Sequence, residues 1–80
     1  MPEAKLADTD FADGAIDVLG VLVATGLCKT RSEARRAVEQ GGVSVNSEKV
    51  TDVKQSYTKD SFAEEFVIQR GKKNFRKVVV

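Results

Sequence analysis

Between Thr25 and Asn46 the chain carries a punctuated pattern that few folds accommodate. It reads Thr25-Gly26-Leu27-Cys28-Lys29-Thr30-Arg31-Ser32-Glu33-Ala34-Arg35-Arg36, then Gly41-Gly42-Val43-Ser44-Val45-Asn46. Gly26 is suited to close a helix, because glycine takes the left-handed conformation without a side-chain penalty. Thr30 then stands as an N-cap, and Glu33 three residues later completes a threonine-x-x-glutamate capping box. Ala34, Ala37 and Val38 give a thin apolar face to a helix over 31–40, which Gly41-Gly42 ends. The alternation of Val43 and Val45 about Ser44 has the period of a half-buried strand.

Upstream, Ile16, Leu19, Leu22 and Val23 fall at helical spacing and place a first helix over 15–25, with Gly20 as its weak position. Downstream, Asn46-Ser47-Glu48-Lys49 has turn chemistry, 50–53 is the expected partner strand, and 54–61 reads as polar loop. Phe66-Val67-Ile68-Gln69 and 75–80 are rich in strand formers. They flank Arg70-Gly71-Lys72-Lys73-Asn74, so a hairpin is expected. Residues 1–13, acidic and holding the one proline, read as a flexible linker or arm before a single domain over 14–80. The expected fold class is α+β: a helix-turn-helix pair followed by a small sheet of short, mostly antiparallel strands with a C-terminal hairpin.

Eighty residues bury one limited core. A single cysteine permits no internal disulfide, and Cys28 reads as a small buried hydrophobe. With no histidine either, the usual zinc sites and histidine-based catalysis are excluded. The apolar run 16–24 is broken by Asp17 and Gly20 and is too short to span a bilayer. The N-terminus lacks the pattern of a secretory signal, so a cytoplasmic chain without a membrane partner is expected. The acids are scattered, and the glycines form no G-x-x-x-x-G-K loop, so no catalytic site assembles.

The net charge of +1 conceals a polarised distribution. Residues 1–17 hold five acids against Lys5 alone, and residues 70–77 hold five cations and no acid. Lys29, Arg31, Arg35 and Arg36 crowd the turn and the start of the second helix against Glu33. Arginine suits phosphate because its planar fork donates two parallel hydrogen bonds. The helix N-terminus adds amide donors and a positive dipole end. The helix alone admits a second reading, a solvated face in which Glu39 reaches Arg35 and Arg36 and Glu33 reaches Arg36.

The hairpin connection brings a second basic cluster, and on one face the two would form a track for an RNA stem. Loop-tip lysines equally protect the edge of a small sheet. Phe62, Phe66 and Phe75 are expected in the core, which leaves Tyr57, or Phe75 if exposed, as the stacking candidates. So few aromatics favour recognition of duplex shape and backbone over single-stranded sequence. The candidate RNA-binding residues are Lys29, Thr30, Arg31, Ser32, Arg35, Arg36, Asn46, Arg70, Lys72, Lys73, Asn74 and Arg76. Asn46 and Asn74 have an equal explanation as turn residues.

The runs 30–36 and 41–46 resemble the RNA-binding domain family named after ribosomal small-subunit protein four, found also in pseudouridine synthases and in heat-shock proteins acting on ribosomal particles. Val23-Ala24-Thr25-Gly26-Leu27 together with Phe66-Val67-Ile68-Gln69-Arg70-Gly71-Lys72-Lys73-Asn74-Phe75 narrows this. That pairing is similar to the C-terminal tRNA-binding domain of bacterial-type tyrosyl-tRNA synthetases. The resemblance implies a domain that grips tyrosine tRNA, including its long variable arm and anticodon-stem region. A separate domain of the same parent chain would perform ATP-dependent tyrosylation. No catalysis and no cofactor are implied here; ATP and magnesium belong to that catalytic domain, whose HIGH-type and KMSKS-type motifs are absent. A homodimeric parent and a monomeric isolated domain are also implied. The family's positive face carries over to Lys29, Arg31, Arg35, Arg36, Arg70, Lys72 and Lys73, while Gly20 and the acidic residues 1–13 stand apart from its pattern. Two rivals remain: a protein-interaction module offering the edge of strand 75–80, and a ribosome-associated RNA-binding factor.

Overall fold

A computed structural model of the chain describes residues 3–71 and 74–80. It opens on a strand, β1 (Glu3–Lys5), followed by buried Leu6, whose N–H donates to the Val79 carbonyl at 2.8 Å. Phe11 packs edge-on against the Phe62 ring at 5.8 Å. These contacts join the acidic start to the rest of the chain, where a flexible arm was expected; burial of Leu6 outweighs the polar composition around it.

The helix expected over 15–25 is divided. Its first residues form β2 (Ala15–Asp17), and α1 (Val18–Ala24) begins only afterwards. The cause is Asp17, an N-cap whose carboxylate accepts from the Gly20 N–H at 2.7 Å. A Cβ on Gly20 would stand 2.9 Å from Asp17 Oδ1 and 2.9 Å from Ile16 Cγ1. That close approach accounts for a glycine inside a helix.

α2 (Arg31–Glu39) follows the sequence signals closely. Thr30 Oγ1 accepts from the Glu33 N–H at 3.1 Å. At the far end Gly41 N–H donates to Val38 O and Gly42 N–H to Ala37 O, both at 2.9 Å, with Gly41 at φ 72°. This is the Schellman arrangement, and it needs a residue that tolerates positive φ. Buried Ala34 and Ala37 let α2 approach its neighbours closely.

β3 (Val43–Val45) turns through Asn46 and Ser47, both at positive φ, directly into β4 (Glu48–Lys49). A two-residue turn of this kind fixes Val45 opposite Glu48, so the partner strand falls on 48–49 and not on 50–53. The expected loop at 54–61 contains β5 (Ser56–Thr58), antiparallel to β2 with Tyr57 opposite Ile16, and a 3-10 turn over Lys59–Phe62. Tyr57 meets Phe66 at 5.0 Å and Phe62 meets Phe66 at 4.5 Å. This packing overrides the polar neighbours that suggested a loop.

β6 (Val67–Arg70) and β7 (Asn74–Val79) form the expected hairpin. The larger sheet has the order β1-β7-β6-β3-β4, with β1 parallel to β7 and the other pairs antiparallel; β2 and β5 form a second, two-stranded sheet. β7 lies between β1 and β6, and β1 covers its outer edge at Lys77–Val79. The interaction module would use the edge of strand 75–80, of which β1 already takes the Lys77–Val79 part within the chain. Val43, Ile68 and Val78 join the core. Strand alternation turns Phe75 to the opposite face, half-buried and outside the core, unlike Phe62 and Phe66. No helix among the described residues is long and apolar enough to cross a membrane.

Candidate nucleic-acid interface

The turn between α1 and α2 is anchored from below. Leu27 and Cys28 are buried, while Lys29 and Thr30 are exposed. Burial pushes the Cys28 thiol above its ordinary pKa, against the pull of the Arg70 charge, so it stays a protonated, unreactive thiol. Of the first α2 amides, that of Glu33 is satisfied by Thr30. Those of Arg31 and Ser32 have no partner among the described residues. Open amides at the positive end of a helix dipole suit an anion.

Three acids on or near α2 each take one arginine. Asp17 accepts both arms of the Arg31 guanidinium, one at 3.1 Å and the other closer. Glu39 holds Arg35 at 2.9 Å, and Glu33 holds Arg70 at 2.9 Å. The pairs of Glu33 and Glu39 with Arg36 that a solvated face would use are not formed. Among the described residues, Lys29 and Arg36 therefore carry no ion pair. The Arg31 hydrogen bonds hold the Asp17 carboxyl below the usual carboxylate range, with partial burial working in the opposite direction.

These pairs are not equivalent. The Arg35–Glu39 side chains are 66% and 57% exposed, whereas Arg70 and Glu33 are 34% and 35% exposed. An exposed pair contributes about 0.2–1 kcal/mol. Arg70 also donates to the Leu27 carbonyl at 2.7 Å, a charged hydrogen bond worth on the order of 1.5–3 kcal/mol. Glu33 completes the link by accepting the Lys29 N–H at 3.3 Å. The root of the β6–β7 hairpin is thus tied to the α1–α2 turn.

The candidate set is partly assembled by this geometry. Lys29, Thr30, Arg31, Ser32, Arg35 and Arg36 share the turn and the first two turns of α2. Asn74, exposed, lies opposite Arg70 in the hairpin register. Lys72 and Lys73 fall outside the described residues. Arg76 is half-buried and donates to the Phe75 carbonyl at 2.8 Å. Asn46 lies at the other end of β6, where its amide donates to Glu65 O at 3.2 Å and accepts from Val67 N–H at 2.9 Å. Both ends of that amide serve the strand. The sequence reading missed Asp17, although an acid directly before an apolar run is an N-cap signal. Among the described residues there is no cluster of three or more His, Cys, Asp or Glu side chains able to hold a metal.

Over residues 1–78 the chain matches the family described as tyrosine–tRNA ligase SYY-like C-terminal domain. It is 38% identical over 81 residues to the tyrosine–tRNA ligase of Clostridium tetani, covering 100% of this chain and 19% of that protein. Against the tyrosine–tRNA ligase of Clostridium kluyveri the identity is 42% over 74 residues, covering 91% and 18% respectively. Against that of Treponema denticola it is 36% over 81 residues, covering 99% and 20%. The chain spans about a fifth of the length of these relatives.

Proposed function

The chain belongs to the C-terminal domain family of tyrosine–tRNA ligases, and from that premise we propose that it serves such a ligase as its tRNA-binding domain. The observation that carries this reading is the uncompensated Lys29 in the same turn as the open Arg31 and Ser32 amides, with a second uncompensated cation, Arg36, further along α2. Phosphate is the ligand that uses both features. The contacting surface comprises Lys29, Thr30, Arg31, Ser32, Arg35 and Arg36, extended along the hairpin by Lys72, Lys73, Asn74 and Arg76. The partner is tyrosine tRNA, gripped at its long variable arm and anticodon-stem region. Contacts to phosphate and sugar position that RNA without reading its bases.

The parent protein is a cytoplasmic, homodimeric ligase whose separate catalytic domain uses ATP and magnesium. This domain adds affinity and orientation and carries no catalytic group. The test is an NMR titration of the labelled chain with tyrosine tRNA and with the same tRNA lacking its long arm. Shifts centred on residues 29–36, stronger for the long-armed RNA and weakening with salt, are expected. Equal responses to the two RNAs would remove the variable arm from the reading. No shifts at low salt would remove tRNA binding as an activity of this domain, and a preference for ribosomal particles would place it with ribosome-associated factors.

A further inference from the structure

We propose that Arg70 is a positioning residue of this surface and not one of its phosphate contacts: from the end of β6 it holds the α1–α2 turn in the shape that presents Lys29 and the first amides of α2. The surface it serves is the tRNA-binding surface proposed above, and the inference rests on that reading.

The geometry is a relay. Arg70 Nη1 donates to the Leu27 carbonyl at 2.7 Å and lies 2.9 Å from Glu33 Oε1. The other carboxylate oxygen of Glu33 accepts the Lys29 N–H at 3.3 Å, and the Glu33 N–H donates to Thr30 Oγ1 at 3.1 Å. One guanidinium therefore grips the turn on both sides of Cys28, across 43 residues of sequence. Arg70 lies opposite Val43 in the sheet, and Val43 is fully buried, which fixes where the arginine stem starts. A partly buried arginine cannot swing to a ligand as the exposed Arg31 can, so to contact phosphate it needs its fork free. Here Nη1 is committed to a backbone carbonyl, and Glu33, about as exposed as Arg70 itself, balances the charge. A lysine does not substitute, because its ammonium nitrogen sits one bond nearer the backbone than Nη1, the atom that makes both contacts.

This assignment predicts a reversal of sign. Removing an acid from a phosphate-binding surface ordinarily tightens binding. Removing Glu33 should weaken it, because the turn is released. The experiment compares Arg70→Ala, Arg70→Lys and Glu33→Ala with the unaltered 80-residue chain. Backbone hydrogen exchange is read at Cys28 and Lys29, and affinity for long-armed tyrosine tRNA is read across a salt series. Both alanine variants should exchange at least about tenfold faster at Cys28 and Lys29 while Ile68 and Ala37 hold their protection. Both should bind about tenfold more weakly with an unchanged salt slope, and Arg70→Lys should recover little of the loss.

Tighter binding by Glu33→Ala, a salt slope lowered by about one in Arg70→Ala, or full rescue by lysine would each overturn the proposal and make Arg70 a phosphate contact. Unchanged exchange at both amides would overturn it independently of any RNA. If the unaltered chain binds no tRNA, the tRNA reading fails, while the exchange data still decide whether Arg70 and Glu33 hold the turn.

Discussion

At the C-terminal end of α2, the amides of Gly41 and Gly42 take the Val38 and Ala37 carbonyls, and the Lys49 side chain lies across Gly41. At the N-terminal end, Thr30 satisfies the Glu33 amide and leaves those of Arg31 and Ser32 open, beside Lys29 and with Arg36 further along the helix. One end is closed by backbone and by a neighbouring side chain. The other keeps donors, the positive end of the dipole and uncompensated charge. The same arginines above a closed N-terminus would be an ordinary solvated face. What distinguishes a phosphate surface is that charge and open amides coincide.

The largest expected effect comes from stripping the uncompensated charge at the open end and along the helix that follows it. Lys29→Ala combined with Arg36→Ala should weaken tRNA binding roughly ten- to a hundredfold at low salt and lower the salt slope by about two, one per phosphate. Stability should stay within about 0.5 kcal/mol, because neither side chain has an ion-pair partner among the described residues. Arg35→Ala should cost less affinity than Arg36→Ala, since Glu39 already engages Arg35. An unchanged slope in the double variant would show that these cations do not meet phosphate.

Breaking the closed end should do the opposite. Gly41→Ala places an L-residue at φ 72°, which costs about 1–2 kcal/mol, while the flexible Lys49 stem can swing aside. Urea unfolding should register that loss, and the folded variant should bind tRNA as before. A drop in affinity comparable to that of the double charge variant would mean that the two ends are not independent. Smaller again, Thr30→Ala should cost about 1 kcal/mol by releasing the Glu33 amide, read as a lower urea midpoint.

The contrast between local and distant signals also explains what could be read from the chain. α2 was legible because Thr30, Glu33 and Gly41-Gly42 act within a few residues of one another. Even so, Glu33 spends its carboxylate on Lys29 N–H and Arg70, not on the Thr30 N–H that a capping box would use. β2 and β5 escaped because Ile16 suits either a helix or a strand, and its pairing with Tyr57 is a tertiary fact. Asp13-Gly14 and Asp17 were local signals for a turn and a cap, outweighed by the helical spacing of Ile16, Leu19 and Leu22. The basic residues were legible as a set, but the partners that engage them were not. Sequence spacing reveals a pair four residues apart such as Arg35–Glu39, whereas Arg31–Asp17 and Arg70–Leu27 close over 14 and 43 residues.

The smallest effect tests whether Arg31 is committed to Asp17 or available to a ligand. In the folded chain the Arg31 hydrogen bonds hold the Asp17 pKa below its ordinary value, so the unfolded state binds the proton more readily. The stabilisation is therefore complete above about pH 4, the ordinary aspartate range, and is lost as pH falls through the lower folded pKa. Asp17→Asn keeps a good N-cap while removing the charge, which isolates the pair from the cap. At pH 7 the variant should be less stable by under about 1 kcal/mol, because Arg31 is mostly exposed and solvent screens the pair. The two stability curves should converge as pH falls below about 4. A gap that persists into strong acid would show that the carboxylate acts by shape and not by charge, which would leave the Arg31 guanidinium as free as Arg36 to meet phosphate.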